Sequence, residues 1–354
     1  MRTSTSCLFL STLLSTLACG DRDTADTTGG DATSGASTGP ASTADEPTTA
    51  APTTTAPITD TTAPADPDTS SGATTESSST TTGGPACAGA LPQHWIDGTD
   101  CGAEPTIQVH AYDDATMILR QSLCTSFEGP FMYLLFGTER ALLLDTGDGG
   151  IPIADVVHEL VAEWSQAHGH PGLELIVANS HAHGDHTAGN DLFIGAADTT
   201  IVGVGVANVA AFFGIADWPG QIVELDLGGR VLDVVPIPGH EAAHIALFDR
   251  NTGVVLTGDT LYPGRLYIKD FPAYVASVGR LVDHLAGHEV CRVLGAHIEM
   301  TTTPGEDFDF MQPSHPDEHP LELDLAHLLE LRAAVEAMAA PALEVHDDFI
   351  VYPL

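Results

Sequence analysis

The chain has 354 residues, and 49 acidic against 11 basic side chains give it a formal net charge of −38 at pH 7. Residues 87–354 alone carry 39 acidic and 9 basic side chains, so the acidic balance is not confined to one end. Such a surface repels phosphate backbones, whose binding needs clustered Lys and Arg, and this excludes nucleic acid as an expected partner.

The first nineteen residues have the pattern of an export signal. Arg2 is followed by a short apolar run and by small residues before Cys19, and the run is too short to span a bilayer permanently. Leu17, Ala18 and Cys19 resemble the cleavage box of bacterial lipoproteins, although that box usually has Leu where Thr16 stands. We expect export to the periplasm or cell surface with a lipid anchor on Cys19. Secretion without a lipid is the alternative.

Residues 20–86 consist almost entirely of Thr, Ser, Ala, Pro, Gly and Asp. With so little apolar surface, burial cannot offset the entropy lost on ordering, so a disordered linker is predicted here. Residues 87–354 are left as one predicted catalytic domain, which is long enough for a sizeable α/β core.

Four cysteines fall in the predicted domain, and they are Cys87, Cys101, Cys124 and Cys291. An even number in an oxidising compartment predicts two disulfides. We expect Cys87 to pair with Cys101, because both lie in the irregular segment that leads into the domain. Metal binding is the alternative, but no two of these cysteines have the two-residue spacing of a zinc knuckle.

Short apolar strands alternate with amphipathic helices along the domain. Apolar residues at spacings of three and four predict a helix over 153–164 that packs on a sheet. Strands are predicted at 131–137, 141–147, 174–180, 200–204, 222–227, 230–236, 243–249, 253–258 and 290–294. Further helices are predicted near 271–286 and 321–340, with a closing strand near 344–352. His315 and His319 lie beside prolines and are interpreted as solvated loop residues.

One predicted strand runs directly into the sequence HAHGDH. Neutral imidazoles and carboxylates bind divalent ions near pH 7, and strand ends followed by loops are where α/β folds place chemistry. In a loop, residues two apart can face one side, so two of these side chains can share one ion while the others face a second. The candidate ligands are His181, His183, Asp185 and His186, followed after later strands by His240, Asp259 and His297.

These motifs resemble, in the same order, those of the metallo-β-lactamase superfamily over about residues 105–300. The HxHxDH motif is matched without substitution, and a PGH turn, a strand ending in Gly-Asp and the sequence LGAHIEM supply the later ligands. The resemblance implies an α/β fold, a four-layer αββα sandwich with two mixed β-sheets. It implies one ion on His181, His183 and His240, a second on Asp185, His186 and His297, and Asp259 bridging both.

A two-ion site of this kind makes a bridging hydroxide available at neutral pH. We therefore expect a metal-dependent hydrolase that acts on a small-molecule ester, lactone, thioester or related acyl substrate. The ligand set contains no thiolate and suits zinc, with iron or manganese as alternatives. Asp185 is expected to orient the nucleophile or relay its proton. Tyr262 stands where lactonases of the superfamily carry a tyrosine near the substrate carbonyl, and His244 is expected to lie behind the ligands.

Three alternatives remain open. Asp259 resembles the pattern of glyoxalase II and lactonases, whereas zinc β-lactamases generally have Cys or Ser near that position, so β-lactam hydrolysis is a secondary expectation. An iron-dependent sulfur dioxygenase of the same fold is the second alternative, with one iron on a set such as His181, His240 and Asp259. The third is a metal-binding surface lipoprotein without enzymatic activity.

Overall fold

The computed structural model describes residues 87–354. The export signal, the lipidation site at Cys19 and the linker over 20–86 lie outside the described residues and stay predictions. The strands are β1 (Ile107–Asp113), β2 (Thr116–Gln121), β3 (Phe131–Phe136), β4 (Arg140–Leu144), β5 (Glu174–Ala178), β6 (Thr199–Ile201), β7 (Val223–Asp226), β8 (Val231–Pro236), β9 (Ile245–Asp249), β10 (Val254–Gly258), β11 (Arg265–Ile268), β12 (Arg292–Gly295), β13 (Glu322–Leu323), β14 (Glu344–Val345) and β15 (Ile350–Pro353). The helices are α1 (Ile153–His168), α2 (Gly184–Thr187), α3 (Val206–Phe213), α4 (Phe271–Leu285) and α5 (Leu325–Ala337).

Two six-stranded mixed sheets form the centre of the domain. The first has the order β1-β2-β3-β4-β5-β6 and turns from antiparallel to parallel at β4. The second has the order β13-β12-β10-β9-β8-β7, with β10 and β12 as its parallel pair. A smaller sheet, β11-β15-β14, completes the described strands. The predicted α/β class with mixed sheets is confirmed.

Apolar side chains hold the layers together. Val157 and Trp164 of α1 pack in a cluster on the outer face of the first sheet. Leu281 of α4 and Leu331 of α5 belong to a second cluster, on the outer face of the second sheet. A third cluster, which includes Ile176, fills the space between the sheets. Alternate residues of each strand therefore face opposite apolar layers, as the predicted αββα sandwich requires.

Side-chain caps decide where the last two long helices begin. Asp270 accepts a hydrogen bond from the backbone N–H of Ala273, and α4 starts one residue later. Asp324 forms a capping box with His327, so α5 starts at residue 325. The predicted helix over 321–340 is too long, because residues 322 and 323 pair with β12 as a short strand. The structure also adds β1, β2, α3 and β11, which were not predicted.

The structure pairs Cys87 with Cys291 and Cys101 with Cys124, at Cα–Cα distances of 5.3 and 5.5 Å. All four cysteines are paired, but the predicted Cys87–Cys101 disulfide is wrong. Both residues do lie in the leading segment, yet its two ends contact different parts of the domain.

Backbone contacts explain this pairing. Ser122, which follows β2, donates its N–H to the Thr106 carbonyl at 3.0 Å, and this brings the segment around residue 101 to the loop of Cys124. Near the other end of the segment, Arg292 reaches the carbonyl of Gly89 at 3.4 Å, close to Cys291. Contacts across the sheet therefore decide the connectivity rather than closeness in sequence.

The predicted solvation of His315 and His319 is also wrong. His315 is 6% exposed, stacks on Phe308 with ring centroids 4.3 Å apart, and lies 3.1 Å from the Ile298 carbonyl. His319 lies 2.8 Å from a carboxylate oxygen of Asp348. The irregular segment is ordered because it folds back over the end of β12. The prolines beside these histidines do not reveal such a contact between distant parts of the chain.

Among residues 87–354, no helix has the length and apolar character that crossing a membrane requires.

We predict that the two disulfides contribute unequally to stability. They span 204 and 23 residues, and the chain-entropy model gives about 5 and about 3 kcal/mol for loops of these lengths. The double variant Cys87→Ala with Cys291→Ala should therefore unfold at lower denaturant than Cys101→Ala with Cys124→Ala. Equilibrium unfolding of both variants without reductant checks the order, and the reverse order would contradict it.

Candidate metal centre

The first ligand group joins three imidazoles and one carboxylate. His183 Nδ1 lies 2.9 Å from His181 Nε2 and 2.9 Å from His240 Nε2. Asp259 Oδ2 lies 3.6 and 3.3 Å from the same two Nε2 atoms. All four ligand atoms are within 4.8 Å of one another, so one ion can contact them all.

The second group uses the other oxygen of the same aspartate. Asp259 Oδ1 lies 3.3 Å from His186 Nε2 and 3.4 Å from His297 Nε2. Asp185 Oδ2 lies 3.0 and 3.3 Å from these two nitrogens. Asp259 therefore presents one oxygen to each group, and the structure brings together all seven residues that the sequence singled out.

The donor spacing fits divalent metal ions. Ligand atoms about 2.0–2.1 Å from a tetrahedral zinc are about 3.3 Å apart, close to the distances in both groups. Asp259 Oδ1 is buried and makes no hydrogen bond to any of the described residues. A buried carboxylate oxygen without a hydrogen bond is costly, and a cation in the second group would satisfy it.

Each ligand follows the end of a strand. His181 comes shortly after β5, and Asp259 and His297 follow β10 and β12, which are parallel neighbours. His240 sits in a turn after β8 because Gly239 adopts φ 146° and packs against α4, where a Cβ would lie 2.5 Å from the Cα of Tyr274. Carboxyl ends of neighbouring strands from both sheets thus meet at one edge.

Backbone carbonyls fix the ring orientation of two ligands. His240 Nδ1 donates to the Tyr267 carbonyl at 2.6 Å, and His297 Nδ1 donates to the Glu128 carbonyl at 2.9 Å. A carbonyl only accepts, so these Nδ1 atoms carry protons, and the neutral ring then presents the Nε2 lone pair to the centre.

Asp145 is a functional residue that the sequence analysis missed. It follows β4 in the left-handed region, at φ 69°, and is 1% exposed. Its Oδ2 lies 2.9 Å from His186 Nδ1, and its Oδ1 accepts the backbone N–H of Ser180 at 2.6 Å. The available signal was an acid directly after an apolar strand, in ALLLDTG.

Burial and charge shift the histidine pKa values of the two ligand groups in opposite directions. Burial lowers the pKa of His181, His183 and His240 below the usual value, so these rings are neutral at pH 7. Burial opposes protonation of His186 and His297 as well, but neighbouring carboxylates, Asp259 foremost, raise the pKa of both well above the usual value. Without a metal ion, the second group therefore holds protons.

Three further residues surround the ligands. The His244 ring is fully buried with its centroid 4.7 Å from that of His181, behind the ligands as expected. The Tyr262 hydroxyl donates to the Arg265 carbonyl and the ring packs 5.5 Å from that of His297, so Tyr262 has a packing role instead of the predicted place at the substrate. Lys269, the only lysine of the chain, places Nζ 2.7 Å from His183 Nε2.

We predict that Asp145→Asn weakens metal binding at the second group by about 10–100-fold, because His186 loses the carboxylate that raises its basicity. Chelator competition on purified protein measures this affinity. Asp155→Asn, on the exposed side of α1, is the matched control. Equal affinities for both variants would show that Asp145 has no such role.

We also predict that metal loading releases protons in a pH-dependent way. An ion in the second group needs neutral His186 and His297, so filling it at pH 7 should release about two protons, whereas the neutral first group should release close to none. Affinity at the second group should therefore fall more steeply as pH drops. Calorimetry in buffers of different ionisation enthalpy counts the protons, and equal release at both steps would contradict the assignment.

The part of the chain that carries the candidate ligands is similar to known proteins. A family model described as the metallo-beta-lactamase superfamily matches residues 126–297. Hydroxyacylglutathione hydrolase of Synechococcus sp. (strain JA-3-3Ab) is 33% identical over 100 residues, which cover 26% of this chain and 37% of that protein. The protein of the same name from strain JA-2-3B'a(2-13) is 31% identical over 143 residues, which cover 38% of this chain and 50% of the relative. The chain thus spans half or less of these relatives.

A solved structure, the metallo-beta-lactamase from Pontibacter korlensis, is 16% identical and covers 66% of this chain and 100% of that chain, with a TM-score of 0.45. The stretch matched by the family model carries all seven candidate ligands in the order of the superfamily motifs, within a sandwich of two mixed sheets. Residues 126–297 thus match the metallo-beta-lactamase superfamily in sequence and in the order of their candidate ligands.

Proposed function

We propose that the protein is a hydrolase that uses two divalent metal ions, most suitably zinc, to cleave a small acyl substrate. The observation that carries the proposal is the position of Asp259, whose two carboxylate oxygens face different ligand groups. A single ion would leave one of these groups without a cation. Five imidazoles and two carboxylates without a thiolate suit zinc, and they also suit iron or manganese.

Two bound ions would lower the pKa of water towards about 7 and polarise an acyl carbonyl. The chain supplies the surroundings for that chemistry. Asp185 has one oxygen in the second group, and its side chain is 17% exposed against 8% for Asp259. Asp185 is therefore the carboxylate that can exchange a proton with an arriving substrate, while Asp259 holds both groups together.

Lys269 is placed to assist at the first group. When His183 Nδ1 binds a metal, its Nε2 carries the ring proton and no longer accepts a hydrogen bond from Lys269. The ammonium then needs another acceptor. A substrate carbonyl oxygen that gains negative charge during attack would fill that role.

Thioesters are the first substrate class to test, because the curated relatives are named hydroxyacylglutathione hydrolases. These relatives are matched over half or less of their length, so the name supports the reaction type more than the substrate. Oxygen consumption without hydrolysis would favour the sulfur dioxygenase alternative.

We predict two metal ions per chain after zinc-replete purification, and cleavage of at least one simple thioester, ester or lactone. Asp259→Asn should lower kcat/KM by about 100-fold or more, since the shared ligand position of both groups is weakened. Elemental analysis and kinetics at saturating zinc provide the measurements, with Glu163→Gln on the exposed face of α1 as control. One ion per chain, or full activity in Asp259→Asn, would count against the two-ion hydrolase.

A further inference from the structure

Three side chains of the kind that bind metal ions meet at the far end of α4. Asp233 lies in β8, His284 lies in the last turn of α4, and His288 lies in the loop that follows. One ligand atom of each is within 4.8 Å of the others, and together these residues form the α4 cluster. Tyr274, which packs against the turn of His240, precedes His284 by ten residues, or about 15 Å of helix. The α4 cluster is therefore separate from the candidate metal centre.

The carboxylate of the α4 cluster is buried and ionised. Asp233 has no exposed surface, and its Oδ2 accepts a hydrogen bond from His284 Nε2 at 2.9 Å. Burial raises the pKa of Asp233, but hydrogen bonds from His284 and Arg250 hold it below its usual value. Among residues 87–354, no group donates a well-aligned hydrogen bond to Asp233 Oδ1. This buried oxygen can therefore serve as a ligand for a cation.

Arg250 shares this carboxylate with the histidines. Its Nη2 lies 2.7 Å from Asp233 Oδ1, and its Nε donates to Asp233 Oδ2 at 3.1 Å. The Arg250 side chain is 38% exposed, however, and its Nη2 also lies 2.5 Å from a carboxylate oxygen of Glu224. Because the guanidinium is partly solvated and has a second carboxylate, it neutralises Asp233 less completely than a buried arginine would.

The two imidazoles lie side by side next to the carboxylate. His284 and His288 are four residues apart, with ring centroids 5.6 Å apart, and both rings contact Phe248 of β9. The ring of His288 is exposed and makes no hydrogen bond or ion pair with the part of the chain that the structure describes. It can therefore turn a nitrogen towards Asp233 without any repacking of the core.

We propose that the α4 cluster binds a further divalent transition metal ion, such as zinc, outside the two ligand groups. Two imidazoles and one carboxylate suit zinc, copper or nickel, whereas magnesium and calcium prefer oxygen ligands. The ion would replace the hydrogen between His284 and Asp233 and tie the end of α4 to β8. With three protein ligands and an arginine nearby, the site is weaker than the metal centre and loses its ion on desalting. It therefore adds nothing to the two ions expected to stay bound.

Calorimetry tests the site on full-length protein without a histidine tag. The protein is loaded with zinc, desalted, analysed for metal and titrated with zinc chloride at about pH 7.5, where free imidazole is neutral. One further zinc ion per chain should bind. His288→Ala and His284→Ala should each weaken this step by about tenfold or more, because three ligands become two.

Two controls separate this site from general attraction of cations to an acidic protein. His94→Ala removes an exposed imidazole outside the α4 cluster and should leave the step unchanged. Magnesium chloride should not reproduce the step in the unmodified protein. No further zinc ion, equal zinc affinity in His288→Ala and His94→Ala, or equally tight binding of magnesium would overturn the proposal.

Thermal unfolding gives a second measurement that needs no catalytic activity. An ion that binds only the folded chain raises the unfolding temperature. Excess zinc should therefore raise the Tm of the desalted unmodified protein and of His94→Ala more than that of His288→Ala. His288 is exposed, so its replacement leaves the fold intact and the comparison valid. Equal shifts in all three proteins would contradict the site, whereas a failure to cleave any acyl substrate would affect the hydrolase proposal alone.

Discussion

The site depends on one geometric constraint, that Asp259 must present an oxygen to each of two groups of ligands. Asp259 and His297 come from neighbouring parallel strands, where Gly258 pairs with Gly295 after the register shifts. His181 comes from the first sheet, so its distance to Asp259 is set by the apolar layer between the sheets. Tightly packed leucines and isoleucines, which resist small displacements, therefore hold polar ligands at the spacing that an ion requires.

Bringing these ligands together is costly in the absence of a cation. Asp145, Asp185 and Asp259 all surround His186, and buried carboxylates without compensating charge are strongly destabilising. Protons on His186 and His297, whose pKa values are raised, supply that charge when no ion is bound, and an ion at the second group would take their place. The left-handed backbone of Asp145 has an energetic cost too, and the rigid end of β4 maintains it because both carboxylate oxygens are bound. The residues around the ligands, such as Asp145, are therefore held as firmly in place as the ligands themselves.

The sequence predicted the parts of this site that depend on local order along the chain. Apolar runs that end in His or Asp predicted strands followed by candidate ligands. The four motifs also lie in the order that the metallo-β-lactamase superfamily shows. The carboxylate partner of His186 was not predicted, because Asp145 is 41 residues away and its role arises only when β4 and β5 pair in parallel. The pairing of Cys87 with Cys291 was missed for the same reason, as it depends on a contact 204 residues apart. The prediction for Tyr262 failed in the opposite way. Its position in the motif matches that of the lactonases, but its hydroxyl donates a hydrogen bond to the Arg265 carbonyl.

Most of the positive side chains in the domain are paired with carboxylates, and this affects which substrates can approach the acidic surface. Six of the eight arginines among residues 87–354 form ion pairs with carboxylates, as Arg120 does with Glu318 and Arg230 with Asp249. Lys269, beside His183, is a cation placed at the metal centre itself. The field of the domain therefore disfavours the approach of anions, and Lys269, with any metal ions that the ligands bind, would supply positive charge only close to the ligand groups. The two fields can coexist because a few positive charges dominate only close to the ligands, whereas the more numerous carboxylates of the domain set the sign of the potential farther away.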